Sequence, residues 1–143
     1  MKIVFDMDNT LTDDFGRSVR PGMVELLRSL VQAEHQLVLW TSSAKARAKT
    51  ILADHELALY FCEFIYREDY DPKNLGLVKD IRQINGNILI DDAPDLIKHV
   101  RSVGKKGFLI SPYRRAGQGL DEQELVHLRD YLKSANRWWK RSF

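Results

Sequence analysis

Apolar residues along this chain follow two rhythms that alternate from one end to the other. Ile3, Val4 and Phe5 form a short continuous run that stops at Asp6, the pattern of a strand covered on both faces. After Pro21-Gly22, the residues Met23, Val24, Leu26, Leu27, Leu30 and Val31 recur at three- and four-residue intervals and predict a helix. Residues 36–41 return to the strand pattern, and 44–55 read as a helix carrying Ala46, Ala48, Ile51 and Leu52. Residues 62–66 predict a third strand. The stripe Leu77, Val78, Ile81 and Ile84 predicts a helix over 73–84, followed by a strand at 88–91 and a helix over 94–103 with proline in its first turn. A fifth strand is expected at 106–110, and Leu125, Leu128, Leu132 and Ala135 predict a helix over 121–135. Strands alternating with helices at this spacing give a three-layer α/β/α, Rossmann-like fold around a parallel sheet of about five strands.

Composition narrows the class. A chain of 143 residues is expected to form one domain over 1–143, with a hydrophobic share of 44% that suffices for a sizeable core. The net charge of +2 is too small to argue by itself for nucleic acid or for acidic membranes, and excludes neither. No apolar stretch reaches the roughly 18 residues of a membrane span, and the chain enters a strand at once, so a cytoplasmic protein is expected. Cys62 lies in a strand-like run and reads as a packed core thiol. His35, His55, His99 and His127 have no paired spacing from which to build a zinc site with one cysteine. The eight glycines form no nucleotide-binding fingerprint.

The chemistry lies where the strands end. Asp6 and Asp8 follow the first strand, two positions apart, and Asn9-Thr10 signals that the chain is turning. Two carboxylates so placed repel unless a positive group lies between them, and a hard, oxygen-seeking cation such as Mg²⁺ fits that need. The second strand ends in Thr41-Ser42-Ser43, whose hydroxyls and loop N–H groups suit a phosphate oxygen, although any of them could equally cap the next helix. The fourth strand ends in Asp91-Asp92. Lys73, opening the expected helix before it, is taken as the cation that holds a phosphoryl group; its rival Lys79 sits beside Asp80 on what reads as the solvated face.

Asp-x-Asp-x-Thr, a strand-terminal Thr, a Lys and Asp-Asp, in that order over residues 2–112, resemble the haloacid dehalogenase (HAD) superfamily. Arg20-Pro21-Gly22, Trp40-Thr41-Ser42-Ser43, Lys73-Asn74-Leu75 and Ile90-Asp91-Asp92-Ala93-Pro94 are similar to the small phosphatases that act on the carboxyl-terminal domain of RNA polymerase. Those enzymes carry extra strands between the first motif and Arg-Pro, where this chain has only residues 11–19. The resemblance implies a Mg²⁺-dependent phosphomonoester hydrolase in which Asp6 is the nucleophile and Asp8 the general acid and base. Thr41, Ser42 and Lys73 would bind the phosphate. Metal ligands would be Asp6, the backbone carbonyl of Asp8 and one of Asp91 and Asp92, with Asp92 favoured as the direct ligand. A phosphoacceptor signalling domain has the same residue kit in a different order, and a dehalogenase lacks an acid at position 8.

Neither the gap after the first motif nor that between Thr41 and Lys73 has room for a cap domain. An open site suits a macromolecular phosphate on a protein or nucleic acid; the alternative is a nucleotide or small metabolite enclosed by a second subunit, and monomer and homodimer both stay open. Residues 136–143, Asn-Arg-Trp-Trp-Lys-Arg-Ser-Phe, form a basic aromatic tail that suits packing on its own domain or stacking on bases.

Overall fold

The computed structural model describes residues 1–141. Five strands form one sheet in the order β3-β2-β1-β4-β5: β1 (Lys2–Phe5), β2 (Gln36–Trp40), β3 (Glu63–Ile65), β4 (Ile88–Asp91) and β5 (Lys106–Leu109). Every neighbouring pair is parallel, with Val4 opposite Val38 on one side and Leu89 on the other. The chain winds outward from β1 through β2 to β3, then crosses back to place β4 on the other side of β1. This reversal opens a crevice at the carboxyl ends of the central strands, where such sheets bind ligands.

Helices α1 (Met23–Gln32), α2 (Lys45–Asp54) and α5 (Glu124–Arg141) cover one face. Their residues Leu26, Leu27, Leu30, Leu52, Leu128 and Leu132 pack on Ile3, Phe5, Leu37, Leu39, Ile88 and Ile90. The other face is covered by α4 (Pro94–Ser102) through Ile97 and Val100, with Ile81 and Tyr70 of the short α3 (Arg67–Tyr70), against Val4, Val38, Trp40 and Leu89. Ile3, Val4 and Phe5 are wholly buried. At about 1.5–3 kcal/mol each, their burial offsets the several kcal/mol that an enclosed ionic cluster costs at the end of the same strand.

Three local expectations are corrected. Residues 73–84 are not a helix: 71–80 run irregularly and only Ile81–Ile84 forms a 3₁₀ turn. Asn74 and Gly76 stand at φ 54° and 74°, which a helix does not allow. Asp71 supplies the alternative, its carboxylate accepting the N–H groups of Leu75, Gly76 and Leu77 at 2.8, 2.9 and 3.2 Å. Cys62 is exposed, because it precedes an edge strand instead of a central one. The tail does not leave the helix at 136: α5 continues to Arg141, burying Ala135 and setting the exposed Trp138 ring 5.0 Å from Lys106 Nζ. Ser142 and Phe143, the end of the expected tail, lie outside the described residues.

Candidate active site

Parallel register brings the ends of β1, β2 and β4 level, so that Asp6, Thr41 and Asp91-Asp92 meet at one crevice. Oxygens of Asp6, Asp91 and Asp92 lie within 4.8 Å of one another. Lys79 enters between them, its ammonium 2.8 Å from Asp6 Oδ1 and 3.0 Å from Asp91 Oδ2. Thr10, fully buried, donates its hydroxyl to Asp6 Oδ2 at 3.2 Å and lies 3.5 Å from Asp92 Oδ1. The turn carrying it is fixed by Arg20, 2% exposed, whose guanidinium donates to the carbonyls of Thr10, Asn9 and Ser111.

Burial pushes the Asp6 carboxyl well above the ordinary carboxylate range; Lys79 opposes this, while Asp91 and Asp92 add to it. Burial also raises Asp92, with Asp91 contributing. Burial disfavours the Lys79 charge, but Asp6 and Asp91 outweigh it and hold the ammonium above the ordinary lysine range. One lysine thus faces three carboxylates. That surplus of negative charge, built from oxygen donors alone, fits a divalent hard cation.

The lysine is a correction. Lys73 is exposed on the irregular segment, and the cation in the crevice is Lys79, 3% exposed. In a helix over 73–84 Lys79 would share the solvated face with Asp80; in the extended backbone that Asp71 organises, Lys79 turns inward while Asp80 pairs with Arg82.

Asp8 lines the same cavity, of about 470 Å³, but its carboxylate stands apart from the three-carboxylate cluster. Both its oxygens are engaged by Arg47 of α2, at 2.9 and 3.0 Å. Thr41 is fully buried, and its Oγ1 accepts the N–H of Ser43 at 3.0 Å, so it holds the loop's shape and still has a proton to donate. Ser42 is exposed and lines the cavity. Glu68 takes the N–H of Lys45 at the start of α2, so that this N–H and that of Ser43 are both already engaged. Asp91 is divided between Lys79 and the N–H of Ala93, at 2.9 Å, whereas Asp92 faces Asp6 across Thr10. Arg47, Thr10 as a direct partner of Asp6, and Asp71 were not singled out as site residues from sequence. For Asp71 a signal existed, since Asp71-Pro72 with Asn74 and Gly76 is a turn composition.

An aspartate at the end of the first strand, a Thr loop, a buried lysine and an acidic pair on one parallel sheet define the HAD class of phosphatases, in its capless form. Within that class the chain belongs to the family of NLI interacting factor-like phosphatases, whose model matches residues 1–140. It is therefore a phosphoric monoester hydrolase. No curated protein matches the sequence. Among solved structures, a hydrolase from Streptococcus pneumoniae TIGR4 is similar with TM-score 0.67 at 12% identity, covering 92% of this chain and 97% of that one. The D,D-heptose 1.7-bisphosphate phosphatase from B. bronchiseptica, complexed with magnesium and phosphate, is similar with TM-score 0.65 at 17% identity, covering 93% and 98%. A HAD-superfamily hydrolase of subfamily IA from Geobacter sulfurreducens PCA gives 0.59 at 13% identity, covering 89% and 98%. At these identities the likeness is one of fold. Among the described residues no helix is long and apolar enough to cross a membrane.

Proposed function

We propose that this phosphatase is a one-domain, Mg²⁺-dependent enzyme that forms an aspartyl-phosphate on Asp6 and serves a macromolecular phosphate monoester. The observation carrying this reading is the cluster of buried Asp6 and Asp91 and half-buried Asp92 around Lys79 at the mouth of an uncapped sheet. The B. bronchiseptica phosphatase, crystallised with magnesium and phosphate on a similar fold, supports the metal. Asp6 and Asp92 would hold Mg²⁺, while Asp91, occupied by Lys79, orients that lysine. When bound, Mg²⁺ supplies positive charge against the phosphoryl oxygens.

Asp6 attacks phosphorus with a carboxylate oxygen as the ester P–O bond breaks, and Asp8 delivers a proton to the departing oxygen. Asp8 then takes a proton from water, whose oxygen attacks the acyl phosphate; the P–O bond to Asp6 breaks and inorganic phosphate leaves. Lys79 stays charged throughout and balances the Asp6 carboxylate that each cycle restores. Ser42, which lines the crevice, and the buried Thr41 behind it would bind the phosphate.

Leu75, Leu77 and Val78, at 70, 51 and 46% exposure, sit on the segment that borders the cavity. Exposed apolar side chains there suit a large partner better than a metabolite. The test is a screen of purified protein with Mg²⁺ against phosphopeptides, 5′- and 3′-phosphorylated oligonucleotides, nucleotides and sugar phosphates, beside an aryl phosphate. Preference for a macromolecular phosphate is expected; efficient turnover of sugar phosphates or free nucleotides alone would overturn that assignment.

A further inference from the structure

The pairing of Arg47 with Asp8 is not explained by stability. The two side chains are 42 and 28% exposed, and ion pairs so exposed contribute little to folding. Yet the geometry is highly constrained. The two terminal nitrogens each meet one oxygen of Asp8, a planar fork that fixes the orientation of the carboxylate as well as its position. The guanidinium is itself fixed: Nη1 donates to Ser43 Oγ at 2.9 Å, and Nη2 lies 3.4 Å from the Asp14 carbonyl. Asp14 in turn belongs to the short loop between β1 and α1, where Asn9 Nδ2 reaches its carboxylate. One arginine thus joins two stretches of the loop after β1 to the loop after β2.

We infer that Arg47 is a positioning residue for Asp8, holding that carboxylate, in the charged form a guanidinium favours, at the cavity mouth in the orientation from which it takes a proton from the water that attacks the acyl phosphate. The inference rests on the proposed role of Asp8 as general base toward that water and deepens it. Lysine cannot substitute, because a single ammonium fixes a point and not a plane. A cation aimed at substrate would point into the crevice beside Lys79; Arg47 instead directs both terminal nitrogens to Asp8.

The consequence is selective. The attack of water on the acyl phosphate is the same whatever ester formed it, so loss of positioning should slow dephosphorylation and spare phosphorylation. Arg47→Ala is expected to lower kcat on 4-nitrophenyl phosphate by about tenfold or more, out of the roughly 10²–10⁴-fold that a general base contributes. The burst of 4-nitrophenolate that accompanies phosphoenzyme formation should stay within about threefold of the parent's, and phosphoenzyme should accumulate at steady state. Arg47→Lys should resemble Arg47→Ala. In an Asp8→Asn background the Arg47→Ala change should have no further effect, since residues acting as one unit are not additive. A slowed burst with raised KM would overturn the inference and make Arg47 a phosphate contact. So would full rescue by lysine, or an Arg47 effect that persists without Asp8. If the parent protein does not turn over 4-nitrophenyl phosphate with Mg²⁺, the phosphatase mechanism itself fails, an outcome separate from any of these.

Discussion

Replacing Lys79 by Met keeps most of the side chain's bulk and removes only its charge and donors. Asp6 and Asp91, 6% and 1% exposed, then face each other with their shared counter-charge gone. Removing one partner of a buried pair costs about 3–5 kcal/mol. In a domain of this size that corresponds to a fall in melting temperature of about 10–20 °C. The sign of the pH dependence follows from Asp6. Burial already raises its folded pKa, and without Lys79 that push is unopposed. A carboxyl that binds protons more tightly folded than unfolded makes stability fall as pH rises. Lys79→Met should therefore lie closer to the parent at pH 5 than at pH 8. Lys73→Met, on an exposed residue, should change stability by no more than about 0.5 kcal/mol. Thermal and denaturant melts of both variants at the two pH values provide the measurement. A Lys79→Met protein melting with the parent at pH 8, or a larger deficit at pH 5, would refute the assignment of Lys79 as the counter-charge.

Asp71→Asn should loosen the segment that delivers Lys79 and lower turnover without abolishing the fold. Burial works against ionisation of Asp71, but the N–H groups of Leu75, Leu77 and Gly76 outweigh it and hold the carboxyl below its usual range. Its contribution is thus present above about pH 4 and lost as pH falls through the lower folded value, so the variant should show a shallower acid loss of stability than the parent. Chelator should abolish turnover and Mg²⁺ restore it, while Ca²⁺ fails to, its looser coordination spoiling alignment. Mg²⁺ should also raise the melting temperature of the parent, and of Asp92→Asn much less, as calorimetry would show.

Much of the fold can be read from the chain because its elements are governed by local periodicity. The run Ile3-Val4-Phe5 and the stripe Met23, Leu26, Leu27, Leu30 are buried in the core that their spacing predicts. The helix expected over 73–84 fails for an equally local reason. Leu77, Val78, Ile81 and Ile84 have helical spacing, yet a single side chain, Asp71, captures three backbone N–H groups and Gly76 takes a left-handed turn. Only Ile81 of that stripe is fully buried. The same event moves the lysine of the site from Lys73 to Lys79. Residues at the strand ends, Asp6, Thr41, Asp91 and Asp92, could be placed because topology alone levels them. Arg47 could not, since its meeting with Asp8 depends on contact between residues 39 positions apart.

The central claim is that Asp6 is the nucleophile. Protein incubated with Mg²⁺ and an aryl phosphate, quenched in acid and analysed by peptide mass spectrometry, should carry one phosphoryl group on Asp6. It should accumulate in Asp8→Asn, where water is no longer activated, and be absent from Asp6→Asn, which should retain the parent's circular dichroism and show no turnover. Phosphate on another residue, or steady-state turnover by Asp6→Asn above background, would contradict the account.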